Sequence, residues 1–341
     1  MSKLTDIIKA EIALRGPIPF VRFMELALYC PEYGFYEKET DTVGRGGDFY
    51  TSVSVGSLFG ELLAFQFAEW LGSLPAGRLQ IVEGGAHDGR LAVDILRWLA
   101  KHRTSLFQRI EYVFLETSAR RRAWQQERTR EFDLKVRWLD QELESPASEF
   151  NGIVFANELL DALPVRRMGW DAAKRCWFEW GVTFTGGKFV WARLPGEVTV
   201  AELSVLPLEL LAVLPDGFTT EICPAAKIWW TAAAKSLRHG WLLTLDYGLR
   251  AEEFFSPQRS QGTLRAYRRH RSDADVLNAP GTQDITAHVN FSEIQKTGEK
   301  ADLITSMITT QAEFLLGIAR RFWTEAQSSG EAATAVDIAK A

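Results

Sequence analysis

Glu83, Gly85 and Gly89 stand where an apolar run gives way to a polar turn, and their types and spacing indicate a ligand site. The preceding run, Leu79 to Val82, predicts a buried strand, and apolar residues at helical spacing from Leu91 to Leu99 predict a helix. A strand, a glycine turn and a helix in this order let a nucleotide-like ligand approach the backbone closely. Alternatively, the glycines serve only a structural turn before a packed helix.

The chemistry expected at this turn is the binding of a cation rather than of a pyrophosphate. The spacing differs from the G-x-G-x-x-G fingerprint that places pyrophosphate on a helix N-terminus. Glu83 would repel a pyrophosphate but would suit S-adenosylmethionine, whose amino group and sulfonium are positive. His87 stands in the middle of the turn, where a glycine with positive φ would leave more room for the cofactor.

Polar residues follow two further apolar runs of the predicted parallel sheet. Glu116 comes after the second strand of the order, where an acid binds ribose hydroxyls in βαβ nucleotide sites. Asn157 and Glu158 come directly after another buried strand, at the sheet edge where a methyl acceptor would have to lie. Glu158 and Asp161 together suit a cationic acceptor such as a guanidinium. Alternatively, these two acids cap the following turn.

Composition and charge restrict the class of partner. The chain has 341 residues, of which 46% are hydrophobic and 24% charged, which is typical of a globular protein. A net charge of -5 argues against nucleic acid as a partner, because a phosphate-binding surface is usually basic. The three cysteines are widely separated, and no histidine lies at ligand spacing from them, so no metal site is predicted.

The predicted location is the cytoplasm. The first 15 residues predict an amphipathic helix that lacks the apolar core of a signal peptide, and its acidic residues disfavour a mitochondrial presequence. The sequence contains no apolar run of the roughly 18 residues needed to cross a bilayer, so no membrane association is expected.

The predicted elements form an α/β protein with a doubly wound sheet. Residues 1–75 form an N-terminal helical region that includes the glycine-dense loop up to Ser52, a candidate active-site loop or a flexible link. Residues 76–164 form the nucleotide-binding core, and 165–215 form an inserted subdomain with a β-hairpin and a helix from Leu203 to Leu214. Residues 216–327 return to the core sheet, and 328–341 form a frayed tail. The charged helix containing Arg120 to Arg122 is expected to face solvent.

Several long segments, in the same order, resemble the MidA-type family of class I S-adenosylmethionine-dependent methyltransferases. They are Gly16-Pro17-Ile18, Gly47-Asp48-Phe49-Tyr50-Thr51-Ser52, the Glu83 turn, Asn157 to Pro164, Asp246-Tyr247-Gly248, Gly262-Thr263-Leu264, Pro280 to Phe291 and Thr310-Gln311. The resemblance covers nearly the whole chain. Mitochondrial members of the family are protein arginine methyltransferases that act in respiratory complex I assembly.

The resemblance implies a Rossmann-like class I fold, S-adenosylmethionine as cofactor, and methyl transfer to an arginine of a protein or peptide substrate. The alternative functions are methyl transfer to a small molecule or to another peptide atom, or a non-catalytic assembly factor that keeps the fold. The oligomeric state is left open. The implied acceptor-side residues are Asp48, Glu158, Asp161 and His288. The implied cofactor residues are Thr51, Glu83, Gly85, His87, Gly89, Glu116 and Asn157.

Overall fold

The computed structural model describes residues 2–38, 56–139, 149–196, 198–200, 203, 206–268, 271–273 and 275–328. Its α-helices are α1 (Lys3–Arg15), α2 (Phe20–Tyr29), α3 (Leu58–Gly72), α4 (Arg90–His102), α5 (Thr104–Arg109), α6 (Ala119–Arg128), α7 (Leu208–Val213), α8 (Pro224–Ser236), α9 (Ala251–Phe254), α10 (Phe291–Glu299) and α11 (Gln311–Ser328). None of these helices is both long and apolar enough to cross a bilayer.

The strands in chain order are β1 (Ile18–Pro19), β2 (Leu79–Gly84), β3 (Ile110–Leu115), β4 (Val136–Leu139), β5 (Phe150–Asn157), β6 (Arg166–Asp171), β7 (Cys176–Thr185), β8 (Lys188–Arg193), β9 (Thr219–Ile222), β10 (Leu237–Leu245), β11 (Gly248–Leu249), β12 (Arg265–Arg268), β13 (Arg271–Asp273), β14 (Asp284–Thr286) and β15 (Val289–Asn290).

The chain divides into two compact units, each built from three segments. Unit 1 consists of Met1–Tyr50, Leu160–Ile228 and Asp246–Thr297. Unit 2 consists of Thr51–Leu159, Trp229–Leu245 and Gly298–Ala341. The five segments expected from the sequence follow other boundaries and stay a prediction.

A five-stranded parallel sheet forms the centre of unit 2, in the order β10-β5-β2-β3-β4. Its strands are apolar on both faces, as expected of a parallel sheet covered on two sides. Ile81 faces a core shared with α3, α4 and α11. The next residue, Val82, packs with Ala233 of α8 on the opposite face. Helices therefore cover both faces, and the predicted doubly wound arrangement is confirmed.

Unit 1 contains an antiparallel sheet in the order β1-β7-β6-β9, in which β8 also pairs with β7. The predicted hairpin is β7 and β8, which are joined by Gly186 and Gly187 with φ of 58° and 81°. Two consecutive positive φ angles fit a tight turn whose twist matches that of the strands. Unit 1 also contains the three-stranded sheet β13-β12-β14 and the parallel pair β11 and β15.

Two elements of unit 1 differ from the sequence prediction. Strand β6 was missed because its first residues are charged: Arg166 pairs with Glu179 at 2.6 Å across the sheet. The helix predicted from Leu203 to Leu214 is shorter among the described residues, where α7 covers only Leu208–Val213. Its first residue follows Pro207, which ends the preceding segment and starts the helix.

Candidate active site

The turn after β2 has the backbone of a glycine turn although one of its residues is a histidine. Gly85, His87 and Gly89 have φ of 72°, 45° and 80°. A Cβ atom on Gly85 would lie 3.0 Å from the Leu159 side chain, so a larger residue would be both strained and crowded there. Gly89 is the N-cap of α4. The turn therefore leads directly into the N-terminus of a helix, as predicted.

Glu83 lies beneath this turn with only 2% of its surface exposed. The Tyr112 hydroxyl donates a hydrogen bond to Glu83 Oε2 at 2.7 Å. Burial raises the pKa of Glu83 to about 8; the hydrogen bond from Tyr112 opposes this rise and the charge of Asp88 adds to it. Burial thus disfavours the charged carboxylate, and a neighbouring cation would restore it.

Glu116 and the turn are connected by Gln125 of α6, a residue that is fully buried. Gln125 Nε2 donates to the His87 carbonyl at 3.0 Å and to Glu116 Oε2 at 3.1 Å. Gln125 Oε1 accepts from Trp138 Nε1 at 2.9 Å. The other Glu116 oxygen accepts from the Ser118 N–H at 2.8 Å. One amide therefore fixes both the turn and the acid that follows β3.

The rest of α6 also contacts the turn. Arg128 forms a 2.7 Å ion pair with Asp88, and the ring of Trp124 lies 6.0 Å from that of His87. Burial would raise the pKa of Asp88, but His87 and Arg128 lower it below its usual value. Arg122 was expected to face solvent; its Nη2 instead donates to the Glu116 carbonyl at 2.7 Å. Sequence analysis missed these contacts because α6 is rich in charge and has no apolar periodicity.

Asn157 and Glu158 lie at the carboxyl end of β5. Asn157 is opposite Leu245 in the parallel register with β10, and the Glu158 N–H donates to the Leu245 carbonyl at 2.9 Å. Glu158 has a φ of 51°, a left-handed conformation that costs free energy for a residue with a side chain. Strained residues of this kind cluster at functional sites, which agrees with the position expected for an acceptor-side residue.

Asp161 lies in unit 1, where it is buried next to a second carboxyl group. Asp246 accepts hydrogen bonds from the N–H groups of Leu160 and Tyr247, at 2.8 and 2.9 Å. Burial raises the pKa of Asp246 to about 6, while these hydrogen bonds and one with the Asp161 side chain oppose the rise. The pair therefore accommodates one negative charge more readily than two, and a cationic group would favour the doubly charged form.

His288 is also in unit 1, where its backbone N–H donates to Thr263 Oγ1 at 3.1 Å. Burial, together with the charges of Arg265 and Arg259, lowers the pKa of its imidazole. The predicted residues of unit 2 are brought to one end of its sheet: Glu83, Gly85, His87, Gly89, Glu116, Asn157 and Glu158. Asp48 and Thr51 lie outside the described residues.

The turn suits a nucleoside that carries a cationic group. Gly85 and Gly89 have no side chain to cover the backbone of the turn. Glu83 and Glu116 place carboxyl groups at the ends of adjacent strands. Among the described residues, no group of three histidine, cysteine, aspartate or glutamate side chains is placed to bind a metal ion.

Comparison with known proteins identifies the relatives of this chain. Residues 62–309, more than half of the chain, match the family model "Putative S-adenosyl-L-methionine-dependent methyltransferase". A Burkholderia thailandensis protein solved with S-adenosyl-homocysteine bound is 35% identical, covers 96% of this chain and 84% of its own, and superposes with a TM-score of 0.79. The predicted fold class and cofactor, S-adenosylmethionine, are confirmed, as is the resemblance to the MidA-type family.

Two eukaryotic relatives have names that specify an activity and a location. The Danio rerio protein arginine methyltransferase NDUFAF7, mitochondrial, is 29% identical and covers 90% of this chain and 74% of its own length. The Drosophila melanogaster homolog is 28% identical, with coverages of 87% and 70%. Because these relatives are mitochondrial, the predicted cytoplasmic location is wrong. The acidic residues of the first helix were too weak a criterion for location.

Proposed function

The chain belongs to the family of S-adenosylmethionine-dependent methyltransferases, and we propose that its methyl acceptor is an arginine side chain of a protein. The observation that carries this proposal is the activity in the names of the Danio rerio and Drosophila melanogaster relatives, which match most of the chain. The buried carboxyl pair of Asp161 and Asp246 suits such an acceptor, because a guanidinium binds carboxylates through paired N–H donors.

Unit 2 provides the proposed cofactor residues. Glu83 binds the methionine amino group, and Gly85 and Gly89 let the backbone approach the ligand. Glu116 accepts hydrogen bonds from the ribose hydroxyls, and Gln125 holds that carboxylate in place. His87, Asn157 and Thr51 complete the proposed set. When bound, S-adenosylmethionine supplies an electrophilic methyl group on a sulfonium.

The proposed acceptor residues act on the guanidinium. Because the pKa of a guanidinium is very high, no side chain removes a proton from it in advance. Glu158, with Asp161 or Asp48, would instead localise its positive charge away from the attacking nitrogen, which keeps an electron pair available for the methyl carbon. As the new N–C bond forms, the S–C bond of the sulfonium would break with its electron pair left on sulfur, and a carboxylate would take up the proton that the nitrogen loses. His288 would assist on the acceptor side, and most of the rate comes from alignment of nitrogen, carbon and sulfur.

The test is methyl transfer from S-adenosylmethionine to two peptides that differ only in arginine or lysine at one position, followed by mass spectrometry. We expect methylation of the arginine peptide alone. The substitution Glu158→Gln should lower kcat by about 100-fold, since a positioned charge in a catalytic site contributes ~3 kcal/mol, and leave S-adenosyl-homocysteine affinity unchanged. Equal methylation of both peptides, or of neither while a small amine is methylated, would contradict the proposal.

A further inference from the structure

The central sheet of unit 2 ends at β10, which has a neighbour on one side only. Strand β10 pairs with β5, and on its other side no strand lies among the described residues. Residues 241–244 of β10 are half-buried, whereas residues 152–156 of the neighbouring β5 are buried. Residues 241–245 are called the open edge below.

The faces of the open edge are covered, so its exposure is confined to the side of the strand. The ring of Trp241 stacks on that of Trp70 of α3, with the ring centroids 5.4 Å apart. Leu243 packs on the same side, and Leu242 packs with the apolar cluster on the α8 side. Because helices cover both faces, the accessible surface lies where a further strand would pair.

The backbone of the open edge offers unpaired hydrogen-bonding groups. The Leu245 carbonyl accepts from the Glu158 N–H at 2.9 Å, so the backbone groups of Leu245 point towards β5. Successive residues of a strand direct these groups to alternate sides, so those of Leu242 and Thr244 point outward. In the described part of the chain, no group outside the sheet bonds to them. Two N–H donors and two carbonyl acceptors are therefore available to a further strand.

Features that protect an edge strand from pairing are confined to the amino end of β10. There Arg238 and His239 are exposed, and the register with β5 shifts between Leu237 and His239. Charges and bulges of this kind keep other strands away. Residues 241–245 contain no charge, no proline and no register shift. The unprotected part of β10 is therefore its carboxyl end, at the same end of the sheet as the cofactor turn.

We propose that the open edge binds an extended segment of the protein substrate, which adds to the central sheet as a further strand. Main-chain hydrogen bonds to Leu242 and Thr244 give such a complex its affinity, with little dependence on the sequence of the substrate. This inference rests on the proposed function, because it names the docking surface for the protein that carries the acceptor.

The position of the open edge suits the delivery of an arginine. Leu245 lies opposite Asn157 at the end of β5, next to Glu158. A strand added to β10 lies about 10 Å from β5, which is two strand spacings. An extended arginine side chain at the end of this strand covers most of that distance, and the Glu158 side chain covers the rest. These residues all belong to unit 2, so the guanidinium stays at Glu158.

Two competing occupants are a second copy of β10 and residues 303–310 of the same chain. Self-pairing of so short an edge buries much less than the roughly 800 Å² per partner of a stable dimer. Residues 303–310 lie outside any helix or strand, and Ile304 and Met307 are 93% and 61% exposed. Side chains paired into the sheet would instead be covered by its helices. A substrate needs only transient pairing, and therefore fits this edge best.

The first experiment measures binding of a peptide to the S-adenosyl-homocysteine complex by calorimetric titration. The parent peptide has nine residues, alternating threonine and valine with one central arginine. Two further versions carry N-methyl groups on alternate backbone nitrogens, one on the odd and one on the even residues. A strand bonded along one side needs only one of these sets. We expect one version to lose at least tenfold in affinity and the other to bind within twofold of the parent. Equal affinities of the two versions, or no binding of the parent, overturn the inference.

Amide hydrogen exchange locates the added strand. In the S-adenosyl-homocysteine complex, exchange at Leu242 and Thr244 should slow at least tenfold when the parent peptide is bound, because its carbonyls accept from these N–H groups. Residues 303–310 should exchange as before. The inference is overturned if only residues 303–310 slow, or if a dimer of the free protein already protects Leu242 and Thr244.

A proline variant tests the same contacts from the side of the protein. Leu242→Pro removes one outward N–H and leaves the bonds to β5 in place, since proline is tolerated on the open side of an edge strand. We expect the Kd of the parent peptide to rise at least tenfold, with S-adenosyl-homocysteine affinity within twofold of wild type. The matched control is Met307→Pro, in the competing segment, which should bind the peptide as wild type does. Unchanged peptide affinity in a folded Leu242→Pro variant overturns the inference. If this variant does not fold, the N-methylated peptides test the same bonds on wild type.

Failure of this inference differs from failure of the proposed function. If the peptide slows exchange at Leu242 and Thr244 but its arginine is not methylated, the docking surface stands and the proposed acceptor is wrong. If the arginine is methylated while exchange at these two residues is unchanged, the acceptor is right and the docking surface is wrong.

Discussion

At the scale of single residues, the charge state of Glu83 is coupled to both stability and binding. Burial raises its pKa from 4.5 to about 8, so the folded protein keeps this carboxyl protonated at neutral pH. The unfolded chain releases the proton near pH 4.5. The raised pKa therefore contributes its full stabilisation to the folded state below pH 4.5, and this stabilisation is lost as the pH rises through about 8.

The stability prediction compares wild type with Glu83→Gln, which keeps an acceptor for the Tyr112 hydroxyl but cannot ionise. Their free energies of unfolding should be similar at pH 5. That of the variant should increase relative to that of wild type as the pH rises to 9. The gain is up to about 4 kcal/mol, since one pKa unit corresponds to ~1.4 kcal/mol. Urea denaturation at pH 5, 7 and 9 measures it. A stability difference that does not change with pH would contradict the assigned pKa.

A second prediction concerns ligand binding at the same carboxyl group. If Glu83 binds the amino group of the cofactor, binding favours the charged carboxylate and releases a proton below pH 8. The affinity of wild type for S-adenosyl-homocysteine should then rise with pH between 6 and 8, by at most about tenfold per pH unit. Glu83→Gln should bind weakly and without this slope. Calorimetric titration across the range tests it, and a flat profile in wild type would remove Glu83 from the proposed role.

At the scale of elements, helix α6 positions the cofactor turn. Gln125→Met keeps the length of the side chain but removes the donor shared by His87 and Glu116. We expect the Kd for S-adenosyl-homocysteine to rise about tenfold, since ~1.4 kcal/mol of hydrogen bonding is lost. Gln126→Met, in the neighbouring exposed residue, is the matched control and should bind as wild type does. Calorimetric titration measures both variants.

A double-mutant cycle separates positioning from general destabilisation. In a Glu116→Ala background, Gln125→Met should cost clearly less affinity, because the carboxylate that it orients is absent. The same loss in both backgrounds would show that Gln125 acts only on the stability of α6. Gln125→Met also leaves the Trp138 indole N–H without its acceptor. If Gln125→Met folds poorly, the additional substitution Trp138→Phe removes this unpaired donor.

The elements of the parallel sheet could be predicted from sequence because each combines an apolar run with a glycine or an acid at its end. Strand β6 could not be predicted, since its arginines pair with acids from other strands.

Only part of the candidate site could be predicted from the sequence. Glu83 and Glu116 follow strands and are visible in the sequence, whereas Gln125 acts through contacts of a polar helix. Thr263 and His288 come from separate segments, so only the folded chain brings them together.

At the scale of the whole molecule, the chain passes between the two units five times, after residues 50, 159, 228, 245 and 297. Two of these passages lie within the continuous helices α8 and α10. Each unit consists of separate segments of sequence. Because α8 and α10 have residues in both units, unfolding of one unit would interrupt a helix of the other. We therefore expect the two units to unfold together.

This expectation gives a calorimetric prediction. The protein should unfold in one transition, and S-adenosyl-homocysteine should raise its Tm as a whole, by the free energy of binding to the folded state. At 100 times Kd this amounts to about 2.7 kcal/mol. Two transitions, of which the ligand moves only one, would show that the units unfold independently. Glu83→Gln is the control, because its Tm should respond little to the same ligand concentration.

The pairing of Trp124 with His87 also has an optical consequence. The indole lies against the turn, 6.0 Å from the imidazole. A protonated imidazole quenches the fluorescence of a neighbouring indole, and a nucleoside that enters the turn changes the polarity around it. The emission of Trp124, obtained by subtracting the spectrum of Trp124→Phe, therefore reports both the charge of His87 and occupation of the turn. Ligand arrival can thus be followed in a stopped-flow instrument without any label.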